Sequence, residues 1–532
     1  MHRRWQLILL EESVSWQSRD CPRRRIDSHP VEQLGKEEAK SKSKHMLLSP
    51  YSRFAQDLKQ MKACVIGAGP NGLAAAIVLA QAGLDVEVFE AESQPGGAAR
   101  TMELTLPGFH HDFGSAVHPM AVGSPFFSTL PLQDYGLEWI HSPTVLAHPM
   151  DDGSAVLLER NLDDAEPALG EDGVAWRGLI EPFANHWPEL AHDILRPLLV
   201  WPRHPFLLAR FALDALPSAS FVALRRFRTE RVRALFAGLS AHSFLSLSQP
   251  LSASFGMVMG ASAHAVGWPI PRGGSQSITN ALSGYLAALG GRIRTSMRIE
   301  SLHQLPPCDL TLCDLTPQQL LHISDNKFAP RYRSQLKKYR YGPGVFKVDY
   351  ALVSPIPWTA TECLRAATVH VGGSTQEIAA SEAAISQRRI SSRPFVLVVQ
   401  PTLFDPLRAP EGKHIAWAYC HVPNGSRTNY LEVLENQIER FAPGFRDCVL
   451  ARRVLAPADL EAMDANLVGG DIGGGAVNIR QLLFRPTWRQ YRTSASDFYL
   501  CSSSTPPGGA VHGMCGYNAA KTALRCLRAK ID

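Results

Sequence analysis

Apolar and polar positions along this chain fall into short blocks, and their order predicts the elements. Residues 63–66 form a continuous apolar run, residues 71–82 are rich in Ala and Leu, and residues 85–89 are a second β-branched run. This order predicts strand, helix and strand, a βαβ unit with parallel strands. Residues 181–250 read as helical, with Pro188, Pro197, Pro202, Pro205 and Pro217 interrupting. Residues 275–289 place Ile278, Leu282, Leu286 and Leu289 on one helical face, and Gly290 and Gly291 end that helix. Residues 292–299 alternate like a strand, and 309–314 read as a buried strand returning to the first sheet. Residues 346–353, 395–399 and 415–421 predict a separate β-rich region. At the C-terminal end, a strand at 498–501, a Ser/Pro/Gly loop at 502–509 and a helix at 517–527 repeat the opening theme.

The junction of the first strand and helix is where chemistry enters. Gly67-x-Gly69-x-x-Gly72 stands between them, and the second strand ends on Glu90. Gly67 allows a tight turn, Gly69 admits a pyrophosphate against the backbone, and Gly72 lets helix and strand pack closely. Pro70 and Asn71 open the helix, whose free N–H groups and positive dipole end favour phosphates. An acid at Glu90 can accept from both hydroxyls of an unphosphorylated ribose. The pattern reads as an α/β, Rossmann-like dinucleotide-binding domain. Gly96, Gly97, Arg100 and Thr101 follow the second strand, where Arg100 can reach the diphosphate from another side. Gly509, Gly513, Met514 and Gly516 precede the last helix and bring a second helix N-terminus toward the same ligand.

Composition narrows the classes. The chain has 532 residues, 45% of them hydrophobic, enough for two domains. Residues 1–60 hold 12 Lys/Arg against 8 Asp/Glu, or +4 of a net +5, so the basic balance belongs to that stretch. The body is nearly neutral and is not expected to bind nucleic acid. Residues 1–60 lack a periodic apolar face and carry too many acids for a transit peptide, so a disordered or misassigned extension is expected. The 10 cysteines are scattered without C-x-x-C pairs, which excludes zinc-finger spacing and points to a reducing, cytoplasmic compartment. Cys308 and Cys313 flank a strand, and extended chain holds their sulfurs too far apart to bond. No apolar run is long enough to span a membrane. Residues 196–233 hold eight Arg, two acids and several aromatic and aliphatic residues, which allows peripheral contact with an anionic membrane.

The three glycine elements, with GPGVFKVDY at 342–350, TVHVGG at 368–373 and WAYCHVPNG at 417–425, resemble the phytoene desaturase-type FAD-dependent oxidoreductases of the amine oxidase superfamily. The branch named pyridine nucleotide-disulfide oxidoreductase domain-containing protein 2, with its bacterial relatives, is the most similar in motif. The resemblance runs from about 61 to 528 and implies an FAD-binding domain of the amine oxidase type built from 61–150, 268–345 and 465–532. It implies a discontinuous α+β substrate domain from 151–267 and 346–464. One extended FAD is implied, non-covalent because no Cys or His stands in a flavin-linkage context, with a hydrophobic small-molecule substrate over the ring. The expected reaction removes a hydride from an apolar, isoprenoid or lipid-like substrate. Oxygen, a quinone or NAD(P) would accept the electrons. A redox-neutral flavin-dependent isomerase is an alternative. So is a non-catalytic prenyl-binding protein of the same fold, although intact loops at both ends argue against it. The resemblance brings no agreed catalytic residue. His118, His370, His421 and His512 are the candidates for proton transfer or polar anchoring, His512 first because it lies in the flavin loop.

Overall fold

The computed structural model describes residues 58–531. The expectation for 1–60 lies outside the described residues, apart from its last three positions.

A five-stranded parallel sheet forms the nucleotide-binding side. Its order is Phe498–Leu500, Leu310–Cys313, Lys62–Ile66, Asp85–Phe89 and Arg292–Arg294. Lys62–Ile66 is apolar without alternation because helices cover both faces of a parallel sheet. The helix Pro70–Gln81 has Pro at its first position and buries ten of its twelve residues. It packs between the helices Gln276–Ala288 and Met514–Ile531. Its many alanines lose little entropy and permit that close approach. The strand expected over 292–299 ends at Arg294, because Ser296 takes a left-handed φ of 54° that breaks the extended run. Leu310–Cys313 is a central strand, and Cys308 and Cys313 are free thiols.

The second sheet has seven strands, in the order Val449–Leu455, Gly344–Leu352, His414–Val422, Val396–Val399, Ala366–Val371, Thr144–Pro149 and Ala155–Glu159. Thr144–Pro149, expected within the first unit, belongs here instead. All six of its residues are buried, and it pairs with strands on both sides. The period-2 alternation of Gly344–Leu352 divides its residues. Phe346, Val348, Tyr350 and Leu352 enter a core with Trp358 and Phe445, while Val345 and Lys347 face a cavity. The stretch from Leu162 to Ala265 is helical and roofs that cavity. Among the described residues no single helix is long and apolar enough to cross a membrane.

Candidate cofactor and substrate cavity

Three glycine segments meet at one end of the cavity. Gly67 takes a φ of 94°, and Gly69 caps the helix Pro70–Gln81. A Cβ at Gly72 would stand 2.0 Å from the Gly67 carbonyl oxygen, and one at Gly97 would stand 3.4 Å from the Gly69 Cα. Glycine at Gly72 lets the helix pack on the loop, and the backbone of Gly67, Gly69 and Gly97 lines the cavity without a side chain over it. Glu90, 6% exposed, lies beside this loop. Its Oε2 accepts from the Ala68 N–H at 2.7 Å and its Oε1 from the Glu92 N–H at 2.9 Å. Each oxygen keeps acceptor capacity for a ribose hydroxyl.

The last helix reaches the same place. A Cβ at Gly516 would lie 1.8 Å from the Asn71 carbonyl oxygen, so two helix N-termini converge. The Met514 N–H donates to His512 Nδ1 at 3.0 Å. That bond puts the His512 proton on Nε2, which is buried without a partner at the cavity wall. Burial pulls His512 down to about 4, so it is a neutral capping residue with one spare donor.

Arg100 is held by the protein on several sides. Its Nε donates to the Gly97 carbonyl at 2.9 Å, its Nη2 donates to the Met463 carbonyl at 2.7 Å, and its Nη1 pairs with Glu92 at 3.3 Å. All three nitrogens contact protein, so Arg100 clamps the loop, and one N–H is left on each terminal nitrogen at the cavity lining. Thr101 also works inside the protein, donating to Asp112 at 2.9 Å. Gly67, Gly69, Pro70, Asn71, Glu90, Gly97, Arg100 and Gly509 line the cavity. Gly72, Gly96, Thr101, Gly513, Met514 and Gly516 stand behind its wall.

Two of the histidine candidates reach the cavity and two do not. His118 lines it, with Nε2 2.8 Å from Ser275 Oγ, and burial lowers it to about 4. His370 and His421 stand one layer back. His421 Nδ1 lies 2.8 Å from Glu382 Oε2, and its ring packs 4.2 Å from that of Phe244. His370 sits behind His242, which does line the wall.

Several wall residues had no motif to announce them. Asp314 ends the strand Leu310–Cys313 and accepts from the Gly72 N–H at 2.8 Å. Burial, reinforced by the Asp464 and Glu90 carboxylates, pushes it up to about 7. Lys347 reaches the cavity wall from the sheet and holds both Asp349 oxygens at 2.5 Å. Its ammonium lies 5.5 Å from the Trp417 ring centroid. Arg485 Nη2 donates to the Gly474 and Ser503 carbonyls at 3.1 and 3.0 Å and braces the glycine loops near the last helix. Strand alternation could have found Lys347, a lone cation in a buried strand.

The cavity is continuous, with a volume of about 840 Å³. Beyond the glycine end its floor is Val345, Leu397, Val399, Trp417 and Tyr419 from the large sheet. Its roof includes Leu208, Phe211, Leu216, Phe255 and Met259. The glycine end fits a dinucleotide cofactor on three observations: glycine backbone of two loops lining the cavity, the buried Glu90 carboxylate with spare acceptor capacity beside them, and an orphaned donor on His512.

Comparison with known proteins agrees with this layout. Residues 65–127 match the NAD(P)-binding Rossmann-like domain family. Homologues include the mouse (Mus musculus) pyridine nucleotide-disulfide oxidoreductase domain-containing protein 2, 26% identical, covering 88% of this chain and 94% of that one. A lycopene-forming phytoene desaturase of Pseudescherichia vulneris is 25% identical, covering 85% and 96%. Among solved structures, an oxidoreductase from Methanosarcina mazei superposes with a TM-score of 0.57 at 18% identity, covering 86% of this chain and 98% of that one. A putrescine oxidase variant superposes at 0.56 and 14%, covering 88% and 99%. These likenesses show that the chain shares the fold of the putrescine oxidase and of the Methanosarcina mazei oxidoreductase.

Proposed function

We propose that this chain, which resembles the phytoene desaturase-type oxidoreductases along its body, uses non-covalent FAD to oxidise an apolar substrate. The observation that carries the reading is the single cavity, with a dinucleotide cradle at one end and an apolar chamber at the other. Glu90 would hold the ribose, and the Gly67–Gly72 loop with Gly97 would hold the diphosphate. Gly509 and His512 would border the ring. The chemistry such a cofactor supplies is acceptance of a hydride from a carbon, leaving a double bond. The chain's own residues position the substrate and exclude water. The helix dipole at Met514 and the neutral His512 Nε2–H favour negative charge beside them. The apolar floor and roof suit an isoprenoid or lipid-like substrate.

The substrate side also supports contact with an anionic membrane surface. The helices Pro205–Ala215 and Ala219–Arg226 meet at 91°. Leu208, Phe211 and Leu216 line the cavity. On the outer side Phe206 is 90% and Leu213 75% exposed, with Trp201 at 74% nearby. Arg225, at the end of the second helix and beside the Phe221 ring, and Arg228 just after it are exposed, and that charge complements anionic headgroups.

The test is a visible spectrum of the purified protein, then acid precipitation and identification of the released flavin and any co-purifying lipid. A colourless folded protein would remove FAD, and colour held in the pellet would remove the non-covalent claim. Anaerobic product analysis then separates oxidation from redox-neutral isomerisation, and reoxidation by oxygen, a quinone or NAD(P) identifies the acceptor.

A further inference from the structure

At the chamber wall His242 and His370 face each other, Nε2 to Nε2, at 3.1 Å. Trp268 flanks both, with ring centroids 5.8 and 6.1 Å away. Burial keeps both imidazoles neutral, pulling His242 down to about 3 and His370 well below its ordinary value. Two neutral rings joined through Nε2 share one proton, so one donates and the other accepts.

The surroundings of His370 decide which. Its Nδ1 is buried without a hydrogen-bond partner. It faces Gly238, where an added Cβ would lie 2.8 Å away, so a C–H is its neighbour. A lone pair tolerates that contact. An N–H sealed there would forfeit its bond to water with nothing in return. The network therefore assigns the His370 proton to Nε2, which donates to His242 Nε2. His242 must then carry its own proton on Nδ1. That atom has no protein partner and is not among the sealed polar atoms, while His242 itself lines the cavity. The nearby Trp268 Nε1, Trp417 Nε1 and Thr368 Oγ1 are sealed. His242 thus offers an N–H to a largely apolar wall that includes Phe244 and Leu397, with Ser243, Lys347 and Tyr419 among its other polar residues.

We propose that His242, its tautomer held by His370, is the hydrogen-bond donor that anchors an oxygen acceptor of an apolar substrate. His242 is then a specificity residue and His370 a positioning residue. The substrate class becomes an apolar molecule bearing a carbonyl or hydroxyl oxygen, and a bare hydrocarbon is disfavoured. This rests on the reading of the chamber as an apolar substrate site.

Equilibrium dialysis of the full chain, as purified, against 2-acetylnaphthalene and 2-ethylnaphthalene tests it. The ratio of the two affinities cancels their shared apolar burial. In His242→Phe that ratio should shift about five- to tenfold toward the hydrocarbon, the worth of one neutral hydrogen bond, with hydrocarbon affinity nearly unchanged. An unchanged ratio overturns the role of His242 and leaves the apolar chamber standing. Failure of both ligands to bind the unaltered protein overturns both readings. ¹⁵N spectra of histidine-labelled protein, assigned by difference with His242→Phe, should show His242 protonated at Nδ1. His370→Leu should return it to the Nε2–H form. A wild-type His242 protonated at Nε2 overturns the assignment.

Discussion

Gly516 packs its Cα onto the carbonyl oxygen of Asn71, so closely that a Cβ would stand 1.8 Å from that oxygen. This contact crosses the last helix over the first at their opening turns and aims both N-termini into one cavity. Gly516→Ala must push the helices apart. We expect it to cost about 1–3 kcal/mol in chemical denaturation and to lower bound flavin. Gly178, helical and with nothing near its missing Cβ, is the control. Gly178→Ala should change stability by no more than about 1 kcal/mol, in the favourable direction.

Glu90 carries a prediction with two arms. Glu90→Ala removes the carboxylate proposed to hold two ribose hydroxyls, each charge-assisted bond being worth roughly 1.5–3 kcal/mol. FAD affinity measured on apo-protein should fall on the order of 10²-fold or more. Glu90→Gln keeps one oxygen but turns an amide N–H₂ toward the Ala68 or the Glu92 N–H, so its loss should be smaller and still measurable. Equal affinity in wild type and Glu90→Ala would remove the ribose assignment.

Asp314 predicts a pH dependence. Its carboxyl, held near 7, is neutral below that pH and ionised above it, beside the cradle proposed for a diphosphate. Glu90 and Asp464 face it as further acids, and the Gly72 N–H is its one bonded donor. FAD should therefore bind more tightly as pH falls from about 8.5 to 6. Asp314→Asn should flatten the profile while still accepting from Gly72. The raised value also means that its stability contribution is complete below the ordinary carboxylate range and is lost as pH rises through about 7. Melting of the apo-protein should accordingly drop between pH 6 and 8 by more in wild type than in Asp314→Asn. A flat FAD profile in wild type would place the phosphates elsewhere.

Lys347 and Asp349 form a buried pair that is best tested together. Lys347→Met leaves a buried carboxylate without its cation and should cost about 3–5 kcal/mol. Asp349→Leu in the same background removes the stranded charge, so the double variant should recover most of that loss. Additive losses in denaturant titrations would contradict the pairing.

The exposed helix pair predicts binding to anionic vesicles. Phe206→Glu with Leu213→Glu should weaken co-sedimentation with phosphatidylglycerol vesicles by on the order of tenfold or more, since each apolar side chain withdrawn from water is worth roughly 1.5–3 kcal/mol. Flavin content should not change. Wild-type protein that stays in the supernatant would remove the membrane surface.

The sequence by itself determined the local units. Helix and strand periods over neighbouring residues placed Lys62–Ile66, Pro70–Gln81 and Asp85–Phe89, and the glycines between them are needed where backbone must meet backbone or ligand. The last helix and three of the seven strands of the large sheet, Gly344–Leu352, Val396–Val399 and His414–Val422, were legible for the same reason. Tertiary structure decided everything that depends on a distant partner. Arg100 stood in a phosphate-binding context, and its bonds to Met463, Gly97 and Glu92 come only with the fold. Thr144–Pro149 joined the second sheet because the buried N–H and C=O groups along its two edges find partners in Ala366–Val371 and Ala155–Glu159. Asp314 became an unusual acid, and His242 a donor with a fixed proton, only through groups folded against them. Periodicity records which face of an element is buried, while the ionisation and hydrogen bonding of a buried group depend on neighbours distant in the chain, as Asp314 does on Gly72 and Arg100 on Met463.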